Sequence, residues 1–410
     1  MAVVESGHPQ TTGRRPPPVG LVWCALLVAG FMHFRLRFSD FNLEVQVFRT
    51  QVHFPTNLEN LYLYVQLSFF DAVVPVLVLV GLWRGWLRMP PLRVAAVAVV
   101  LIALVAGHSA VAWLTVEGLQ VAWLLKETVK IVAIVVHFVL LLTLFQNQGL
   151  RAPPITVVAV VLAIAVPAVF LDAHYGLNVR TGHAVELACL VFLLAQDGAW
   201  ESDRTRRQWL ALASAAAAVA AFTLFNKGVG GMAVVMMLWI LFGKWPTGVS
   251  RGKVGLIAIL LIAAFFAGIL LTDLVGSMLP MLGHVDTLGR SVGVRLELWS
   301  LALERLWATF PLGIGLGQFP TSVGTEPGLA VEAHKFVHST FVGLAADLGL
   351  LGLFACTGLL AVLTIATRGW RDIVVPLFVI LVALPLLIHD GHSIRMLLVV
   401  TALGLARFIY

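Results

Sequence analysis

The sequence predicts an all-α polytopic membrane protein: one integral domain over residues 1–410, with about twelve transmembrane helices and a large outer loop containing an amphipathic helix. Three observations carry this. First, 60% of the 410 residues are hydrophobic and only 12% are charged, whereas soluble domains carry about 45–50% apolar and about 25% charged residues. A soluble chain of this size needs a polar skin, and these charges are too few to make one. Second, apolar runs near the length that crosses roughly 30 Å of hydrocarbon recur from end to end. Third, the loops between them are alternately rich and poor in Lys and Arg.

The chain opens on a polar segment, 1–18, with Arg14, Arg15 and the run Pro16-Pro17-Pro18. A cleavable leader would place its apolar stretch nearer the start, so the first apolar run is expected to remain as a helix. Expected spans are 19–34, 61–83, 92–114, 120–146, 155–171, 182–197, 209–225, 229–243, 254–275, 338–367, 372–388 and 394–409. The run 338–367 is long enough to be tilted or to begin outside the bilayer. Cys24, Cys189 and Cys356 all lie in apolar runs and read as small core residues, not as a disulfide frame or metal site.

Short basic loops fix the orientation. Arg84, Arg88 and Arg93, then Arg204, Arg206 and Arg207, then Lys244, Arg251 and Lys253, then Arg368 and Arg371 fall on one side with Arg14 and Arg15. That side is cytoplasmic, as are both termini. The formal net charge of +6 is explained by this rule and does not point to nucleic acid. The loops at 35–60, 172–181 and 276–337 then face outward, with no soluble domain expected in any of them.

Outward cations break the orientation rule and are therefore informative. Arg35, Arg37, Arg49, Arg180, Lys227, Arg290, Arg295, Arg305 and Arg395 lie on or near the outer face. A charge at membrane depth is costly and usually serves a site. Gathered round a cavity, such groups suit a phosphate or pyrophosphate, which the planar fork of arginine binds through paired hydrogen bonds. Arg35 and Arg37 can equally snorkel to headgroups, and Arg305 can pair with Glu304 or Glu297.

The stretch 295–310 reads as an amphipathic helix. Leu296, Trp299, Ala302, Leu303, Leu306, Trp307 and Phe310 form one apolar stripe, opposite Glu297, Ser300, Glu304 and Ala308. Arg295 falls inside the apolar stripe, where a purely structural helix would carry Leu or Ala. Next comes Pro311-Leu-Gly-Ile-Gly-Leu-Gly-Gln-Phe319, whose alternate glycines permit a sharp turn or a close backbone approach. It follows a helix, not a strand, so a dinucleotide fingerprint is not supported.

His334 and His338 follow, one turn apart. Such a pair can bind a metal, but no carboxylate or cysteine completes a set nearby. The preferred reading is a single histidine at the outer end of a helix, able to accept a proton from a hydroxyl. The alternative is a histidine at a wet helix start. Asp347 lies nine residues after His338, on the opposite face of a regular helix, so it pairs with another helix or helps pack the bundle. The polar run 389–395 either lines the same cavity or makes a wet turn.

Taken in order, Arg295–Trp299, Phe310–Phe319, His338-Ser339-Thr340 and Ala346–Gly352 resemble the shared region of O-antigen ligases, O-antigen polymerases and related oligosaccharyltransferases. The likeness covers roughly 60 residues; a looser match is Phe225-Asn226-Lys227-Gly228. Ser339 stands where that family usually has asparagine, Asp347 where it has glutamate, and Lys227 where it has arginine. The resemblance implies a metal-independent glycosyltransferase of the bacterial inner membrane, needing no cofactor, with its active site facing the periplasm. Its donor would be a glycan on undecaprenyl pyrophosphate, and its acceptor a sugar hydroxyl. His338 and Arg295 would be catalytic, and Arg290, Arg295, Lys227 and Arg180 would hold the pyrophosphate.

Ligation to lipid A-core in lipopolysaccharide biosynthesis is the preferred activity, and polymerisation of repeat units the alternative. A transporter or flippase for an anionic lipid or solute is the reading from a different class. Twelve helices suit that class, but the paired halves with broken midplane helices typical of it are not evident.

Overall fold

The computed structural model of the protein describes residues 16–31, 35–39, 42–47, 50–55, 66–119, 121–174, 182–197, 201–223, 227–242, 286–319, 337, 339–388 and 395–410. It is helical apart from one sheet. In chain order come α1 (Val19–Phe31), β1 (Arg35–Ser39), β2 (Asn42–Val47), β3 (Thr50–Pro55), β4 (Gln66–Ser68) and α2 (Phe69–Trp83). Then follow α3 (Leu92–Thr115), α4 (Val121–Leu144), α5 (Ile155–His174), α6 (Gly182–Leu194), α7 (Arg204–Thr223) and α8 (Lys227–Phe242). The last four are α9 (Asp286–Ala308), α10 (Thr340–Thr367), α11 (Val375–Ile388) and α12 (Arg395–Ile409).

Every expected span except 254–275, which lies outside the described residues, overlaps one of these helices. Among the described residues, four stretches are long and apolar enough by length and composition to cross a membrane: α3, Trp123–Leu144 of α4, Gln148–Pro167 running into α5, and α10 taken end to end. Shorter apolar helices include Val19–Gly30, Phe69–Trp83, Val185–Leu194 and Met232–Phe242.

The helices bear out the all-α expectation at the level of fold class, and one small sheet accompanies them. The segment expected as an outer loop at 35–60 contains strands β1–β3, which with β4 make an antiparallel sheet of order β3-β2-β1-β4. Its register sets Arg37 opposite Glu44 and Glu44 opposite His53.

The main core gathers α1, α2, the last turns of α4, α5–α8, the end of α10, α11 and α12 around fully buried Trp23, Phe145, Phe192 and Phe378. The Trp23 indole N–H donates to Leu150 O at 3.0 Å, and its ring stacks on Phe145 at 5.6 Å. Satisfying the indole inside an apolar core is what makes a fully buried tryptophan tolerable. At the other end of the chain, a Cβ on Gly404 would collide with the Trp370 indole and with Ala366 O, so α12 lies directly against the end of α10. Such close backbone approach through small residues is how helices associate where lipid removes the hydrophobic drive. Cys189 is buried as expected, but Cys24 is exposed on α1 and is not a core residue.

Helix α10 is not one straight rod. Gly349 sits at φ 57°, ψ −128°, and the chain folds back there. Cys356 Sγ lies 3.4 Å from Phe341 O, a pair that a straight helix would hold about 22 Å apart. A Cβ on Gly352 would likewise collide with Leu344 O. The expected tilted span at 338–367 is therefore a hairpin of two helical halves, 340–348 and 350–367. Ser339 caps the first half, its Oγ accepting from Val342 N at 3.4 Å.

Candidate functional site

The break at Gly349 frees backbone groups that a continuous helix would pair internally. The glycine-rich turn after α9 takes them up. Ile314 N donates to Ala346 O at 3.0 Å, Gly315 N donates to Asp347 O at 2.9 Å, and Leu350 N donates to Pro311 O at 2.8 Å. Backbone this intimate leaves no room for side chains. A Cβ on Gly313 would stand 2.5 Å from Gly349 N, and one on Gly349 would run into Pro311 O. Both residues also have positive φ, at 78° and 57°, which glycine alone adopts without cost.

Two more helices clamp the turn. From α3, His108 Nε2 donates to Leu312 O at 2.7 Å. From α4, Trp123 O and the Glu127 side chain press on Gly317, where an added Cβ would meet Glu127 Cγ at 2.7 Å. On its other side Gly317 N donates to Asp347 Oδ2 at 3.0 Å. This settles the role that the sequence left open for Asp347: its carboxylate holds the turn.

Helix α9 joins the same unit. Its Trp299 indole donates to Val337 O at 2.9 Å, and Leu298, Ala302, Ile314, Phe319, Val337 and Ala346 form one small core. The expected apolar stripe is corrected here. The inward face is Leu298, Ala302 and Leu306, all buried, while Leu303, Trp307 and Phe310 are 44%, 72% and 47% exposed. Leu298 was absent from the expected stripe. The helix is apolar on more than one face, so periodicity alone could not choose the face that packs.

Between α4 and the first half of α10 lies a cleft of ≈ 70 Å³. Trp123, Glu127, Lys130, Leu316, Gly317 and Phe319 line one part of it, and Val337, Ser339, Thr340, Gly343 and Asp347 another. Ser339 and Thr340 are buried. Lys130 Nζ donates to Glu127 Oε2 at 3.1 Å, and Lys126 Nζ stands 4.0 Å from Glu127 Oε1.

The expected site residues fare unequally. His338 lies outside the described residues, but its neighbours Val337 and Ser339 both line the cleft. Arg295 and Arg290 lie on α9, Arg295 one turn before Trp299, and Lys227 opens α8; the side chains of all three lie outside the described residues. Arg180, His334 and the run 389–394 lie outside them altogether. Among the described residues no group of three or more His, Cys, Asp or Glu is arranged to hold a metal ion.

Sequence reasoning passed over Lys126, Glu127, Lys130 and His137, though a signal existed: ionisable residues inside an otherwise apolar helix. His137 of α4 belongs to a second buried cluster. Arg395 of α12 donates to Asp71 of α2 through Nε at 3.1 Å and a terminal nitrogen at 3.3 Å. His137 Nε2 stands 3.4 Å from Asp71 Oδ1, and its Nδ1 donates to Ala133 O at 2.6 Å. Arg395, expected as an outer cation, is thus half of a paired ion clasp joining α2 to α12.

No protein-family model matches the chain, and no curated protein matches it.

Proposed function

We propose that this protein is a glycosyltransferase of the bacterial inner membrane. It moves a glycan from undecaprenyl pyrophosphate to a sugar hydroxyl at the periplasmic face, as an O-antigen ligase with lipid A-core as acceptor. Polymerisation of repeat units is the alternative within the same chemistry. One observation carries the reading. The separate sequence features between Arg295 and Gly352 are a single spatial unit, in which the glycine turn threads the α10 break and Trp299 is bonded to the residue before His338.

In this reading the acceptor hydroxyl attacks the anomeric carbon, whose bond to the pyrophosphate oxygen breaks. His338 takes the hydroxyl proton. Arg290, Arg295, Lys227 and Arg180 hold the departing undecaprenyl pyrophosphate and stabilise its developing charge. The exposed Leu303, Trp307 and Phe310 of α9 suit a lipid-tailed donor arriving from the side. No metal or cofactor takes part.

The test uses purified protein in detergent with an undecaprenyl-pyrophosphate glycan, lipid A-core and a metal chelator. Ligation appears as a gel shift of the acceptor, lost in His338→Ala and Arg295→Ala variants that still insert. Lengthening of the donor glycan instead would assign a polymerase. Neither product, beside an active control ligase, would defeat the transferase reading. The buried Asp71–His137–Arg395 cluster favours one rival, since ionisable groups at membrane depth also line transport paths. Flipping of an anionic lipid in vesicles holding only this protein would establish that rival.

A further inference from the structure

The charges of the cleft separate two substrates that the site must tell apart. Its lining holds two carboxylates, Glu127 and Asp347, against one ammonium, Lys130. Lys126, the next cation on α4, is drawn to Glu127 and stands over the Trp123 ring at 4.3 Å. Both lysines are drawn onto Glu127, so the surface offers a pyrophosphate no surplus positive charge. It favours a neutral polyol. A carboxylate accepts two hydroxyl hydrogens, and an adjacent ammonium donates to the neighbouring oxygens. The buried hydroxyl residues Ser339 and Thr340 and the aromatic Trp123 and Phe319 complete a lining of that kind.

We propose that the cleft between α4 and the first half of α10 is the acceptor-sugar subsite, with the Glu127–Lys130 pair holding adjacent hydroxyls of a neutral ring. The inference rests on the transferase reading above and deepens it. The acceptor is held against the α4 carboxylate, beside position 338, and the donor pyrophosphate is held elsewhere, by the arginines of α9. Asp347 is committed to the glycine turn through Gly317 N, so Glu127 is the carboxylate left to face a ligand. Lys130, which donates to it at 3.1 Å, keeps it aimed.

The experiment is calorimetric titration of the full-length protein in detergent with two probes: a soluble, phosphate-free core oligosaccharide and inorganic pyrophosphate. The oligosaccharide is expected to bind the unmodified protein and to bind Glu127→Gln and Glu127→Asp at least about tenfold more weakly, the loss of one or two hydroxyl contacts. Pyrophosphate binding is not weakened in either variant. Lys130→Gln carries the same expectation should the Glu127 variants fail to insert. Unchanged oligosaccharide binding in a folded variant overturns the proposal, as does a loss confined to pyrophosphate. Glycan transfer is read in parallel. Sugar bound at Glu127 without transfer would keep the subsite and remove the transferase. Transfer with an acceptor KM indifferent to Glu127 would do the reverse.

Discussion

Helix α12 buries Met396, Leu397 and every residue from Val399 to Ala406. Helix α3, of 24 residues, buries only Ala98, Val105, Ser109 and Ala112. The first belongs to a core in which helix packs on helix around large aromatic and aliphatic side chains. The second belongs to the part of the molecule formed by α3, the first turns of α4, α9 and the first half of α10, whose apolar clusters are small and whose exposed Val99, Val100, Trp113 and Leu114 suit a lipid environment. That part gains its rigidity differently. It exchanges backbone hydrogen bonds between the glycine turn and the α10 break, clamped by His108 and Glu127. A site built there can be held firmly while leaving side chains free to line a cleft.

The largest effect is expected from Gly349→Ala or Gly313→Ala. Each adds a methyl group where backbone already stands, at a positive φ, and should cost roughly 4–5 kcal/mol, the range reserved for fold-breaking changes. Melting in detergent should show the loss, and a stable Gly349→Ala protein would refute the interlock. Next is the clasp on the packed side. Asp71→Asn or Arg395→Met alone breaks this mostly buried ion pair and should cost about 3–5 kcal/mol. The triple change Asp71→Leu, His137→Leu, Arg395→Met should recover most of it, because whole apolar replacements of buried ion groups are often neutral. No recovery would mean the cluster does more than join helices.

Asp347→Asn is expected to be milder, about 1–3 kcal/mol, since the amide replaces a charge-assisted bond to Gly317 N with a weaker one. Its signature is local: faster hydrogen exchange at 313–317 with no change around Trp23. The smallest effect is expected at Trp307→Ser, whose side chain is 72% exposed. Stability in detergent should move by less than about 0.5 kcal/mol, while affinity for lipid vesicles falls. A large loss of stability would place Trp307 inside the fold.

Much of this architecture was legible in residue order. The limits of α3, α4 and α12 follow from apolar runs flanked by Arg93, Gln146 and Arg395. Asp347 and the three glycines were each noted, and only the family resemblance placed them in one ordered pattern. What escaped was relational. Asp71, His137 and Arg395 are separated by 66 and 258 residues, and no local pattern shows that they meet. The strands between Arg35 and Ser68 were hidden because their stabilising partners are other strands, not near neighbours in the chain. Glu127 and Lys130 were readable as charges in an apolar helix, yet nothing in α4 alone announces the cleft they face.

By itself the sequence determined that most of this chain is apolar helix and where those helices begin and end, because burying backbone polar groups in hydrocarbon leaves few alternatives. It also marked the alternate glycines and Asp347, set in one order only by the family resemblance, without showing what joins them. Only the tertiary structure decided that α10 folds back on itself, that α9 packs through Leu298 instead of Trp307, and that Asp347 holds the glycine turn while Glu127 faces the cleft. The physical reason is that a helix's internal hydrogen bonds are local and written in composition. The partners of a broken helix lie 30 or more residues away, Gly317 for Asp347 and Pro311 for Leu350, and are chosen by packing.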